Sequence, residues 1–408
     1  MRLKANEYEH KIEYVKTQLA DNLRGSSEYY RFGVEKFGPF LYGYTMWLHH
    51  EIKKESFSKV FFFARDGYMM QKAFQILDDE LDTQYVYFSR KSIRQALLYK
   101  CSSYKESLKY LTWERFITIG KLLEYYGFSM KEREEIADQE NLDLEENLSY
   151  ADLISNSKME ELYGKIREKI AVNSKHQDKM LRGYLNQINM KDRCAIVDIG
   201  WHGNMQFYLD EYFKHIGLKV ELYGYYVGIE PTPELKSKNF GWLYSDENSE
   251  LRKDVLCFFG VYEKLFQSTE GSTYGYEMIG ESVVPVLADY EYSNDKQMVE
   301  RIGDWQSGAL DFVQIASQKN MEIDDNRAWA YPLIEVGKKP SNADVKLLSF
   351  LYNTDGTKIY FVSQKPLYKY KPKELIFALS NSAWKTGFMK SVFKLPLPYY
   401  YIYRALRK

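Results

Sequence analysis

A doubly wound α/β fold, Rossmann-like with a mostly parallel sheet, is what this sequence predicts, and three observations carry the prediction. Two strand–turn–helix units recur roughly 130 residues apart, at Lys59–Leu77 and Cys194–Ile216. Their strand runs lack polar alternation, as expected of strands covered on both faces. Proline is nearly absent from the first half of the chain, where Pro39 is the only one before Pro231. That favours regular α/β structure up to about residue 230 and predicts a looser remainder.

In chain order, the first unit opens with Lys59-Val-Phe-Phe-Phe-Ala64, a β-branched and aromatic strand, and turns at Arg65-Asp66-Gly67. Tyr68, Met69, Ala73, Phe74, Ile76 and Leu77 then recur at helical spacing, and a short strand over 85–88 follows. Residues 92–191 read as a helical insertion. Within it Gly127 stops one helix, and Ser129-Met-Lys-Glu132 is a capping box that starts the next. The second unit has the strand Cys194-Ala-Ile-Val197 and the turn Asp198-Ile-Gly-Trp-His-Gly-Asn204. Its helix carries Met205, Tyr208, Leu209, Tyr212, Phe213 and Ile216 as an i, i+3, i+4 stripe, and a strand over 220–227 follows. The expected organisation is an α/β core from 1–91 and 192–280, the insertion at 92–191, and a C-terminal region at 281–408 ending in a basic, aromatic tail.

Composition bounds the function classes. A chain of 408 residues and 48.4 kDa suffices for one large or two modest domains. With 45% hydrophobic and 28% charged residues it is not disordered as a whole. A net charge of −1 excludes a chain that is basic overall and grips nucleic acid by bulk electrostatics. Cys101, Cys194 and Cys257 are odd in number and far apart, so no disulfide framework is expected and a reducing cytoplasm is the simplest compartment. No CxxC or HExxH spacing suggests zinc, no apolar h-region marks a secretory signal, and no run is long enough to span a bilayer. The 37 tyrosines fit either a Tyr-rich core or surfaces that stack on sugars and sit at membrane interfaces.

Ligands of a doubly wound sheet bind beyond the carboxyl ends of its strands, and both turns lie there. In the second, Gly200 and Gly203 open a helix, so backbone N–H groups at the helix N-terminus can approach an anion. Asp198, at the strand end, can accept from sugar hydroxyls or hold a Mg²⁺ that travels with a polyphosphate. In the first, Arg65 is a bidentate phosphate partner and Gly67 permits tight backbone geometry. Arg90, Lys91 and Arg94 add cations on the same rim. Two phosphate cradles flanking a carboxylate suit a sugar with phosphate at one end and pyrophosphate at the other.

Four blocks carry a family resemblance: Phe63-Ala-Arg-Asp-Gly-Tyr68, Tyr87-Phe-Ser-Arg-Lys-Ser92, Val197-Asp-Ile-Gly-Trp-His-Gly-Asn-Met-Gln206 and Glu263-Lys-Leu-Phe-Gln-Ser-Thr-Glu-Gly-Ser-Thr-Tyr-Gly-Tyr276. Over residues 30–280 the chain resembles a family of bacterial polysaccharide-biosynthesis proteins often labelled haloacid-dehalogenase-type hydrolases. Such a phosphatase needs DxDx[TV] after its first strand, and here only Asp66 stands there. The same loops look like those of type I phosphoribosyltransferases, with Arg65-Asp66-Gly67 in the place of the pyrophosphate loop and Val197–Gln206 in that of the phosphoribosyl loop. The departures are that Asp198-Ile199 stands for an acidic pair and His202-Gly203-Asn204 for a Thr-Gly element.

The resemblance implies a glycosyltransferase that moves a 5-phosphoribosyl unit from phosphoribosyl pyrophosphate to a glycan in capsule or O-antigen synthesis. A separate phosphatase would remove the phosphate afterwards, and the acceptor would be a lipid-linked glycan. Arg65, Asp66, Gly67, Arg90 and Lys91 would hold the pyrophosphate, with Mg²⁺ as the cofactor carried by the donor. Asp198, Gly200, Trp201, His202, Gly203 and Asn204 would hold the ribose and its 5-phosphate. Besides Asp198, the candidates for the base are Asp66, Glu263 and Glu270, which the sequence does not rank. Alternative classes are a phosphatase or hydrolase, a nucleotide-sugar glycosyltransferase, and a non-catalytic assembly subunit.

Residues 356–408 carry 11 Lys/Arg against one Asp/Glu, a net of +10, whereas residues 1–355 carry a net of −11. Leu379, Ala383, Trp384, Phe388, Val392 and Phe393 are expected on one face of a single helix. Three readings compete: an interfacial anchor on the inner face of the plasma membrane, docking on the acidic body, or a patch for RNA. The expectation is a cytoplasmic protein, peripheral at that membrane, without a nucleic-acid partner.

Overall fold

The computed structural model describes residues 5–57, 59–111, 116–355 and 357–406. Its centre is a five-stranded, all-parallel sheet in the spatial order 83–86, 60–63, 192–201, 220–229, 238–244. Counted within the sheet this is 2-1-3-4-5, a doubly wound order. The fifth strand, Lys238–Tyr244, was not anticipated, since Gly241 and the polar flank of Lys238-Asn239 mask its pattern.

Successive residues of the strands feed opposite cores, which is why they read as continuous apolar runs. Val60, Phe62, Ala195, Val197, Tyr223 and Tyr225 face a large cluster with helices 38–53, 67–77, 259–266 and 296–318. Phe61, Phe63, Cys194, Ile196 and Leu222 face the other side, under helices 157–187 and 204–216. The three cysteines are buried and none is in a disulfide. Tyr42, Tyr44, Tyr225, Tyr226, Tyr244 and Tyr262 are among the largest fully buried side chains, so much of the tyrosine content is core.

Three expectations are corrected. The second-unit strand does not stop at Val197: it runs from Asp192 to Trp201, because Asp198, Gly200 and Trp201 pair with Tyr226, Gly228 and Ile229. The insertion is not wholly helical, since Phe116–Thr118 and Asn147–Ser149 form an antiparallel pair; Ser129 and Glu132 do form the expected capping box. Residues 98–170 have a core of their own, while the far end of helix 157–187 packs on the sheet. Nor is the chain beyond Pro231 loose. Helix 296–318 buries Ile302, Trp305, Ala309, Phe312 and Val313 in the main cluster. The prolines there do not oppose it, because Pro332 and Pro372 lie in the first turns of helices, where no N–H partner is lost.

The single helix expected over 379–393 is two, and a third follows in the tail. Helix 372–381 ends at Ser382, whose Oγ donates to the Phe361 carbonyl at 2.7 Å and accepts from the Trp384 N–H at 3.1 Å. Helix 385–393 follows. Trp384 is fully buried against Phe258, and its indole N–H donates to the Gly337 carbonyl at 3.2 Å. Tyr399, Tyr400 and Tyr403 of helix 399–406 enter the same cluster. One face of the tail therefore docks on the body. No helix among the described residues is long and apolar enough to cross a membrane.

Candidate functional site

The chain leaves strand 60–63 toward 83–86 on one side and returns to 192–201 on the other. Between 60–63 and 192–201 lies the topological switch point, where a crevice opens beyond the strand ends. A cleft of about 940 Å³ occupies that place, lined by Arg65, Asp66, Arg90, Lys91, Asp198 and Glu263 among others. The rest of its wall comes from 272–274, 288–291, 352–354 and Lys358.

Three carboxylates converge on its floor. Asp66 follows strand 60–63, Asp198 lies within strand 192–201, and Glu263 reaches in from helix 259–266. Each is only partly open to the cleft and otherwise enclosed by protein. Burial raises the Asp66 carboxyl well above its ordinary range, and the charges of Asp198 and Glu263 push the same way, against Arg65 and Lys264. Burial likewise lifts Asp198 to about 6, helped by Glu263 and opposed by the Ile199 N–H and Arg90. Glu263 is raised by burial, moderated by the Trp201 indole, whose N–H donates to Oε1 at 2.9 Å. Such a cluster shares protons as a unit and can act as acid and base near neutral pH.

The expected cations divide. Arg90, the first residue of helix 90–95, is exposed in the cleft with no ion pair among the described residues. Arg65 lines the cleft but is already engaged: Nη2 donates to both oxygens of Glu291 at 2.8 Å and to Gln267 at 2.7 Å, and Nη1 donates to Ser272 at 3.2 Å. Lys91 pairs with Glu124 at 2.8 Å and lies 3.0 Å from the Tyr274 ring centroid; burial brings it down to about 8 despite Glu124. Arg94 is buried away from the cleft, donating to the Leu111 carbonyl at 2.6 Å and stacked 3.9 Å over the Tyr208 ring. Its expected place on the rim is corrected.

The second loop does not form the cradle expected of it. Gly200, Trp201, His202, Gly203 and Asn204 are absent from the cleft lining, which takes only Asp198 and Met205 from this segment. Sheet packing explains the glycine at 200: with φ +107°, its Cβ would fall 2.5 Å from the Gly228 carbonyl oxygen. Gly203, at φ +65°, would bring a Cβ within 2.7 Å of Leu235. His202 is exposed, with Nδ1 3.3 Å from the Glu230 carbonyl, and Asn204 begins helix 204–216. Trp201 acts on the site only by orienting Glu263. Gly67 packs under its helix against Phe62. Glu270 also stands outside the lining, accepting from the Tyr85 hydroxyl at 2.7 Å, Ser268 at 3.0 Å and Tyr87 at 3.3 Å.

Glu291, Lys264 and Glu124 were missed. Lys264 adjoins Glu263 in a block already singled out, so helical spacing could have flagged it. Glu291 and Glu124 carry no local signal, because their partners Arg65 and Lys91 are distant in sequence. A scan against protein-family models and a search of curated proteins return no match to this chain.

Proposed function

We propose that this protein is a glycosyltransferase that moves a 5-phosphoribosyl unit from phosphoribosyl pyrophosphate to a hydroxyl of a lipid-linked glycan acceptor. The observation that carries this reading is the acidic floor of Asp66, Asp198 and Glu263 facing the unpaired Arg90 at the switch point. Asp198, ionised above about pH 6, takes the proton of the acceptor hydroxyl. The acceptor oxygen bonds to ribose C1, and the bond from C1 to the pyrophosphate oxygen breaks, releasing pyrophosphate. Arg90 offsets the charge gathering on that leaving group.

Mg²⁺ is ordinarily held by one or two carboxylates together with substrate phosphates. The described residues include no group of three or more ligating side chains placed for a protein-only site. Asp66, giving up the proton that burial otherwise favours, is the carboxylate that would hold a Mg²⁺ arriving with the diphosphate, leaving Asp198 for the acceptor hydroxyl, and the ion would neutralise the leaving group. Arg65 is a positioning residue in this reading: tied to Glu291, it sets the loop that carries Asp66.

The test is a donor comparison by calorimetry and product analysis. Phosphoribosyl pyrophosphate with Mg²⁺ should bind, and with a lipid-linked glycan it should yield pyrophosphate and a phosphoribosylated product. Nucleotide sugars should do neither. Arg90→Ala removes a charged hydrogen-bond donor, so donor affinity should fall roughly 10- to 100-fold. Unchanged affinity would remove Arg90 from the pyrophosphate site, and phosphate release without acceptor would point to a hydrolase instead.

A further inference from the structure

We infer that the outer face of the C-terminal tail docks on an anionic lipid bilayer. This does not depend on the reaction proposed for the cleft. Of the seventeen large apolar side chains left exposed among the described residues, nine fall between 367 and 402, a stretch of under a tenth of the chain. A monomeric surface scatters such residues singly, so this concentration needs a partner.

The side chains that meet the partner are not the aromatic stripe that the sequence suggested. Trp384, Phe388, Met389 and Val392 are buried on the inner face. Ile376 and Phe377 project from helix 372–381, which buries none of its residues. Leu395 and Leu397 follow helix 385–393, and Tyr401 and Ile402 lie opposite the docked Tyr399, Tyr400 and Tyr403 of helix 399–406. Ile376 is 65% exposed, Leu395 52% and Tyr401 66%. Helix 372–381 packs on 385–393, and 385–393 packs on 399–406, so these exposed positions lie on a layer of neighbouring helices.

Charge decides the occupant. Lys369, Lys373 and Lys394 are exposed within this layer and make no ion pair among the described residues. The one acid in the segment, Glu374, is paired with Lys365. Apolar groups interleaved with unpaired lysines suit insertion among acyl chains beneath anionic headgroups. A nucleic acid would be met by cations and stacking rings; Tyr368, Phe377, Phe393 and Tyr401 are rings, but the other five exposed groups, Leu367, Ile376, Leu395, Leu397 and Ile402, are aliphatic and favour acyl chains. A second copy meeting the same face would oppose positive with positive.

Full-length protein should co-sediment with phosphatidylglycerol vesicles and remain in solution with phosphatidylcholine vesicles, and added salt should weaken the binding. Ile376→Glu with Phe377→Glu should lower vesicle affinity about tenfold or more, and Lys369→Glu with Lys373→Glu should do likewise. Both pairs are exposed, so unfolding midpoints should not move. Val172→Glu, at an exposed apolar site on helix 157–187, should bind as the parent does. The inference is overturned by no binding to phosphatidylglycerol vesicles, by full binding of the Ile376/Phe377 variant, or by a patch-dependent dimer without lipid. Binding of single-stranded RNA by protein that phosphatidylglycerol does not retain would also overturn it, in favour of nucleic acid. Loss of vesicle binding with donor binding intact would leave the reading of the cleft standing.

Discussion

Asp198→Asn should slow transfer about 10²–10⁴-fold, the usual worth of a positioned base, and should make the folded protein more stable at pH 8. The second half follows from the direction of the shift. The folded state holds the Asp198 proton up to about pH 6, above the ordinary 3.8 of a free aspartate. Between those two values the folded form binds more protons than the unfolded one, so stability falls as pH rises through that window and stays lower above it. Asp66 and Glu263 are raised as well and add to the same trend. Asparagine stays neutral, so the variant escapes its share of that cost. Its thermal midpoint should exceed the parent's at pH 8 and nearly coincide with it at pH 4. In the parent, kcat/KM should rise with pH through a limb near 6. A fully active variant would show that Asp198 is not the base, and one less stable at pH 8 would show that its carboxylate is not strained by its surroundings.

Glu291→Ala should lower the unfolding free energy by about 3–5 kcal/mol, because it strands two buried cations. Lys264 and Arg65 both pair with this carboxylate, and the three side chains are largely shielded. Burial alone would raise the Glu291 carboxyl, but Lys264 and Arg65 outweigh it and draw it down to about 2. The pairing therefore stabilises fully above pH 4.5 and is lost as pH falls toward 2, so the gap between parent and variant should narrow over that range. Urea unfolding at several pH values reads this directly. Glu291→Gln keeps the shape and part of the hydrogen bonding and should cost less. Equal stability of Glu291→Ala and parent at pH 7 would mean that the cluster is solvated and Arg65 is free for a ligand.

The two strand–turn–helix units were legible because each feature is local: an aromatic run, a turn and a helical stripe all lie within about twenty residues. Asp66, Arg90 and Asp198 could be named on that basis, since strand ends are where a doubly wound sheet binds ligands. The second turn was misread for a physical reason. Gly200 and Gly203 look the same in sequence whether they cradle an anion or make room for a neighbour, and here Gly228 and Leu235 stand where a Cβ would go, while the loop lies outside the cleft. The tail was half legible: its composition marked it as basic and aromatic, but which side faces inward depends on Phe258, Gly337 and Asp254, all more than 40 residues from their partners.

The sequence by itself determined the class of fold, the switch-point aspartates and the charge asymmetry between body and tail, because periodicity and composition are set within single elements. Only the tertiary structure ranked the carboxylates, joining Glu263 to Asp66 and Asp198 while tying Glu270 to Tyr85. It alone diverted Arg65 to Glu291. Both outcomes depend on which distant segments share a low-dielectric space, and burial together with neighbouring charge, rather than residue type, decides which groups stay free to react.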